Sequence, residues 1–183
     1  MIMDENVQIE FDGGSIRPLT SGDVHPGYID GLNDPEVNKY LVGVRNNTQT
    51  QEGVTVFVLD NQSAKDSILF GIWCNGMTEH CGTIRLHEIE SIHKTAHIGI
   101  CLFDKSVWGN KIGSRAVKVV TQWAFETLKL RWIEAGAYSE NVASIKTFSR
   151  AGYEWVYDIN EKYLFEGRPA KVSIFSAKKN SLV

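Results

Sequence analysis

The sequence predicts a single α/β (α+β) domain, a mixed and mostly antiparallel sheet of about seven strands flanked by helices. Three observations carry that expectation. Residues 68–74 and 80–87 read as two strands of a hairpin, turned at Asn75 and Gly76. Residues 96–103 alternate strictly, then pass through a glycine-punctuated turn into a run of helical period and a further strand at 132–138. A strand-helix-strand unit after a hairpin requires at least one parallel pair, reached by a right-handed crossover. Four prolines, no Ser/Gly-rich run and no repeat leave residues 1–183 as one domain without a linker.

The elements follow in order. A short strand is expected near residues 15–19. Asp34 followed by Pro35 predicts a helix start, because the carboxylate caps free amides and proline suits the first helical position; Val37, Tyr40 and Leu41 then share a face. Thr48 and Gln51 have capping-box spacing ahead of Val54, Phe57 and Val58, predicting a second helix. In the strand at 96–103, Ala96, Ile98, Ile100 and Leu102 alternate with His97, Gly99, Cys101 and Phe103, which places the two sets on opposite faces. Val117, Val120, Ala124 and Leu128 form the buried stripe of the next helix, with Lys118, Gln122 and Glu126 toward water. A helix over 141–150 ends at Gly152, and two last strands flank the Glu166-Gly167 turn.

Composition narrows the function. With 19 Lys+Arg against 22 Asp+Glu, the formal net charge is −3, and no basic patch is evident, so nucleic acid is not an expected partner. The 43% hydrophobic and 22% charged residues match an ordinary globular chain. Three cysteines without Cys-x-x-Cys spacing suggest neither a disulfide framework nor a zinc site, and His80, His87 and His93 read as surface or loop residues rather than metal ligands. No basic-then-apolar leader opens the chain and no apolar stretch approaches the ~18 residues of a membrane span, so a cytoplasmic protein without a membrane partner is expected. The aromatic group Trp132, Tyr138, Tyr153, Trp155 and Tyr157 is expected to pack the sheet and its edges.

The turn at 108–114, WGNKIGS, aims several backbone amides and a helix N-terminus at one point, which suits an anion. It matches neither a P-loop nor a Rossmann turn, and a plain tight turn into a helix fits the local sequence equally well.

Five segments resemble the GNAT superfamily of acyl-CoA-dependent N-acetyltransferases. WGNKIGSRAV is similar to that family's pyrophosphate loop, in the Trp-Gly form of the branch that acetylates ribosomal-protein N-termini; IGICLF precedes it, and NVASIKTFSRAGY resembles the branch's Asn-x-x-Ser and Ala-Gly-Phe segment. LNDPEVNKYL and GTIRLHEI resemble relatives that act with surface-polysaccharide sugar enzymes. The resemblance implies a GNAT fold with a splayed parallel pair, and acetyl-CoA held along Leu102 and Phe103, by the loop Trp108, Gly109, Asn110, Lys111, Ile112, Gly113 and Ser114, and by Asn141 and Ser144. No metal is implied.

The implied reaction is direct transfer of the acetyl group to a primary amine on a small molecule or a peptide. A base must deprotonate that amine. His97 is the first candidate and a space-filling role its alternative, while Glu161 and Tyr163, expected on one face of a late strand, are rivals. Ser144 is the implied proton donor to the leaving thiolate, and Asn141 is an expected helix N-cap. Two residues depart from the family pattern: Lys111 replaces the loop's middle glycine, and Phe148 replaces a frequent proton-donating tyrosine. They leave open a non-catalytic acyl-CoA-binding module, or an interaction protein that binds no CoA. A nucleotide-linked amino sugar is the preferred acceptor and a protein N-terminus the other; an edge strand in the last hairpin suits a homodimer.

Overall fold

A computed structural model describes residues 7–179, and among these the strands form one eight-stranded sheet in the order β1-β2-β3-β4-β5-β6-β8-β7. The strands are β1 (Ile9–Phe11), β2 (Gly14–Pro18), β3 (Ile68–Cys74), β4 (Gly82–Glu90), β5 (Thr95–Leu102), β6 (Trp132–Tyr138), β7 (Glu154–Phe165) and β8 (Arg168–Lys178). Every neighbouring pair is antiparallel except β5 and β6. The expected mixed sheet is present with one further strand, β1, whose three residues are too short for alternation to announce.

The helices are α1 (Pro26–Asn33), α2 (Val42–Arg45), α3 (Gln51–Ser63), α4 (Ile112–Glu126) and α5 (Val142–Arg150). Alternation along the strands sorts the core into two layers. Ile68, Phe70 and Ile72 of β3 and Ala96 and Ile98 of β5 join Ala116, Val117, Val120 and Ala124 of α4 and Phe148 of α5. Leu69, Phe103 and the partly buried Trp73 and Cys101 face the other way, toward Tyr28 and Leu32 of α1 and Val54 and Val58 of α3. Most of the predicted α4 stripe holds: Val117, Val120 and Ala124 are fully buried, and Lys118 and Glu126 exposed, whereas Gln122 is half-buried and Leu128, also half-buried, falls beyond the helix end. Among the described residues, no helix is long and apolar enough to cross a membrane.

The first helices differ from expectation. Asp34 does not begin a helix; it ends α1, which starts at Pro26 behind the cap residue His25. The Asp34 carboxylate accepts the Glu36 amide at 2.8 Å and pairs with Lys105 Nζ at 2.7 Å, closing an Asx turn instead of capping a helical turn. Residues 35–40 are consequently turns and a bend, and Val37, Tyr40 and Leu41 line the central cleft, Val37 also packing against the α1 and α3 layer. The cap of α3 is Thr50, whose Oγ1 accepts the Gly53 amide at 3.1 Å, two residues later than the predicted Thr48.

Candidate functional site

The parallel pairing of β5 with β6 lasts for three residues, Thr95 to His97 against Trp132 to Glu134. Beyond His97 the strands part, and a cleft of about 1100 Å³ opens between them. One side is walled by the turn before α4 and the start of α5, the other by the α1–α2 segment and by β7 and β8. Because β4 remains paired to β5 as far as Leu102, the main-chain edge facing the cleft is the one β6 has left. Gly99, Ile100 and Cys101 line it.

At the α4 end, Trp108, Gly109, Lys111, Ile112, Gly113 and Ser114 line the cleft, whereas Asn110 is exposed outside it. Lys111 is the N-cap of α4 in a left-handed conformation, φ 61°, where glycine is at ease and other residues lose about 1 kcal/mol. That is why a glycine is common there, and the lysine brings a cation to the helix N-terminus in exchange. Its carbonyl accepts the Ser114 hydroxyl at 3.0 Å, so this serine braces the turn. Gly113 lets α4 approach closely: a Cβ there would stand 3.4 Å from Ile100, Leu102 and Thr147. Trp108 donates its indole N–H to the Leu102 carbonyl at 2.9 Å, folding the turn over the end of β5.

Of the two expected cofactor contacts on this strand, Leu102 lines the cleft and Phe103 does not. The Leu102 carbonyl is already occupied by Trp108, and Phe103 is turned away from the cleft into the second core layer, against Tyr28 at 4.7 Å. The edge that lines the cleft runs from Gly99 to Leu102.

Asn141 caps α5 as predicted, its Oδ1 accepting the Ser144 amide at 3.1 Å. Both residues line the cleft, with Ala143, Thr147 and Phe148. Phe148 is buried and packs 5.5 Å from Tyr153. The nearby Tyr153 phenol is committed to Thr121 at 2.7 Å, and burial raises its pKa well beyond the tyrosine range. It therefore holds its proton inside the core.

The opposite end carries the titratable cluster. His97 stacks on His87 of β4 at 5.6 Å between ring centroids, and one carboxylate, Glu88, reaches both: 3.5 Å to His87 Nδ1 and 3.6 Å to His97 Nε2. Glu88 sits in a β-bulge between His87 and Glu90, with φ 51°. A non-glycine residue in that conformation is strained, and the bulge re-aims its side chain between the two imidazoles. Burial, then the Arg85 charge, push the His87 pKa down, so His87 is neutral at pH 7. Glu134 flanks His97 across the parallel pair and is held by Trp132 Nε1 at 2.9 Å. The expectation that His87 lies on the surface is thus overturned, since it lines the cleft. His80 lies in the loop before β4, as one reading expected, but is buried against the second core layer rather than on the surface, while His93 is exposed.

The two rivals to His97 separate. Tyr163 lines the cleft, but Glu161 does not. The register of β7 against β8 slips between Ile159 and Tyr163, and Glu161 has φ 61° within that irregularity, so alternation no longer puts the two on one face. Lys162 lines the cleft instead. Of the aromatic group, Tyr138 and Tyr157 line the cleft and only Tyr153 is fully buried; Trp155 is 60% exposed.

Residues 15–154 match the acetyltransferase (GNAT) domain family. The chain belongs to the GNAT acetyltransferase family. It is 38% identical over 85 residues to the probable N-acetyltransferase YjcK of Bacillus subtilis, a match spanning 46% of this chain and 46% of that protein. It is 26% identical to the uncharacterised N-acetyltransferase YoaA of the same organism, over 93% of this chain and 96% of that one. Among solved structures, the ribosomal L7/L12 α-N-protein acetyltransferase RimL, in complex with coenzyme A, superposes with a TM-score of 0.82 at 20% identity, covering 96% of this chain and 99% of that one. That likeness shows the fold.

The acyl donor of this family is acetyl-CoA, and the cleft fits it. An open strand edge suits the amide-bearing pantetheine arm, and the amides and Lys111 at the head of α4 suit the pyrophosphate. Close packing at Gly113 keeps that helix against the strand.

Proposed function

We propose that the chain transfers the acetyl group of acetyl-CoA to a primary amine by direct attack. The observation that carries this reading is that one cleft joins the α4 turn at one end to the His87–Glu88–His97 cluster at the other. An ammonium entering between Glu88 and Glu134 is held by their charge. His97 removes its proton and Glu88 stabilises the imidazolium that results. The freed nitrogen lone pair attacks the thioester carbonyl carbon, and a main-chain amide of β5 facing the cleft stabilises the oxyanion. Collapse breaks the C–S bond; Ser144 Oγ passes its proton to the departing thiolate, directly or through water, since Phe148 has none to give, and is reprotonated by the second proton that the attacking nitrogen sheds as it becomes the amide.

The preferred acceptor is an amino group on a nucleotide-linked sugar. Tyr40, Tyr138, Tyr157 and Tyr163 line the acceptor side with Lys39 and Lys162, surfaces suited to a ring and to a diphosphate. Tyr163 stands where the resemblance to the ribosomal branch expects a carboxylate, which weighs against a protein N-terminus.

The test is release of CoA thiol from acetyl-CoA across a panel of nucleotide-linked amino sugars and peptides with free N-termini. Turnover of a sugar nucleotide supports the reading. Turnover of peptides alone replaces the acceptor, and tight CoA binding without thiol release replaces the enzyme with a binding module.

A further inference from the structure

Three thiols that look unrelated in the sequence are not equivalent in the fold. Cys74 closes β3 and Cys81 precedes β4, and their Sγ atoms lie 2.9 Å apart, with both cysteines free. The main chain fixes both ends of the loop between them. The Cys81 amide donates to the Ile72 carbonyl at 2.8 Å, and the Met77 amide donates to the Cys74 carbonyl at 3.1 Å. Bonded sulfurs stand ~2.05 Å apart, so closure needs a movement of less than ~1 Å. Cys101, the third thiol, lines the cleft on β5 instead.

We propose that Cys74 and Cys81 form a reversible intramolecular disulfide, driven by a low-molecular-weight disulfide as oxidant. The pair is asymmetric in a way that orders the steps. Cys81 is fully buried, and burial together with Cys74 keeps its thiol protonated, whereas Cys74 is half-buried and open to a small reagent. The Cys74 thiolate attacks one sulfur of the oxidant, a mixed disulfide forms and one thiolate leaves. Cys81 then attacks the Cys74 sulfur while its proton passes to the second departing thiolate. Two protein thiols are oxidised to one disulfide, and one molecule of oxidant is reduced to two thiols. The bond would tie β3 to β4 at a turn whose Cys81 carbonyl accepts the Asp104 amide at 3.1 Å. Asp104 caps the short turn at Lys105–Val107 that leads to Trp108, so the bridge sits behind the segment that enters the cofactor loop.

The experiment incubates the reduced, folded chain with oxidised glutathione, blocks remaining thiols by alkylation, and maps the peptides by mass spectrometry. The expected result is a monomer with Cys101 alkylated and a Cys74–Cys81 crosslink that dithiothreitol removes. Cys101→Ser should leave the crosslink unchanged. Cys74→Ser should abolish it and leave Cys81 unmodified, and Cys81→Ala should trap glutathione on Cys74. The inference is overturned if Cys74 and Cys81 remain alkylatable across the glutathione series, if glutathione persists on Cys74 of the unsubstituted chain, or if the crosslink joins two chains. None of these outcomes depends on acetyl transfer.

Discussion

His80 should make the protein sensitive to mild acid, by an amount its surroundings fix. The ring is 1% exposed and neither nitrogen has a hydrogen-bond partner among the described residues. It is enclosed edge-on by His25 at 4.7 Å, Tyr28 at 4.8 Å and Phe103 at 5.0 Å, with Trp73 at 5.5 Å. Burial, then the neighbouring His25, lower its pKa from 6.5 to about 3, against the opposing pull of Asp23; Arg17 also lowers it. The folded chain refuses a proton that the unfolded chain accepts, so stability is complete above pH 6.5 and falls as pH drops toward 3. At 1.36 kcal/mol per unit, going from pH 7 to pH 5 should cost about 2 kcal/mol from this residue alone. Urea unfolding at the two pH values measures the total, and the same pair of curves for His80→Leu isolates the residue. The variant should lose about 2 kcal/mol less than the unsubstituted chain. It should also be no less stable at pH 7, because it removes two unpaired buried polar atoms. Equal acid losses in both proteins would refute the assignment.

Other substitutions address the cleft. Lys111→Gly relieves the left-handed cap and should stabilise the ligand-free chain by about 1 kcal/mol in thermal melts, while weakening acetyl-CoA binding and flattening its dependence on salt. Phe148→Ala should cost about 3–5 kcal/mol in urea unfolding, as a buried aromatic removed from a packed layer. Ser144→Ala should lower kcat about tenfold with CoA affinity kept, and Phe148→Tyr in that background should restore part of it by supplying a phenol. His97→Ala should lower kcat about a hundredfold, and Glu88→Gln by about tenfold, with the acidic limb of the pH–rate profile moved. An unchanged profile for Glu88→Gln would remove this carboxylate from the proton path.

The sheet was legible wherever one period dominated. β5 alternates without interruption and α4 keeps its buried face along its length, so the turn that joins them could be placed from residues alone. What failed to show were departures from period. The bulge at Glu88 breaks β4 just where it brings a second histidine beside His97, and the irregularity at Glu161 breaks β7 where the sequence offered two rival bases. In both, a non-glycine residue takes positive φ, which no side-chain pattern announces. Asp34–Pro35 misled for a related reason: the same carboxylate that caps a helix also closes an Asx turn, and Lys105, 71 positions away, helps hold it there. Cys74 and Cys81 meet only because the hairpin loop returns the chain. His80 contradicts the usual placement of histidine, and only its enclosure by aromatic rings accounts for it.

Alternation along β5 also explains how one strand serves two reactants. Ile100 and Leu102 lean toward Gly113 of α4, the side proposed for the acyl donor, while His97, Gly99 and Cys101 alternate to the opposite face, the side proposed for the acceptor. Gly99 is the revealing position. A Cβ there would meet nothing within 4 Å, so the protein itself leaves this space empty, and no positive φ requires a glycine. If the void is where the amine and the thioester meet, Gly99→Leu should change stability by no more than about 0.5 kcal/mol, because the added Cβ meets no protein atom and the side chain extends into the cleft. It should nevertheless raise the acceptor KM and lower kcat, with acetyl-CoA affinity retained if the pantetheine arm binds only main chain. A Gly99→Leu variant with normal kinetics toward its acceptor would mean that the reactants meet elsewhere in the cleft, and the roles given to His97 and Glu88 would fall with it.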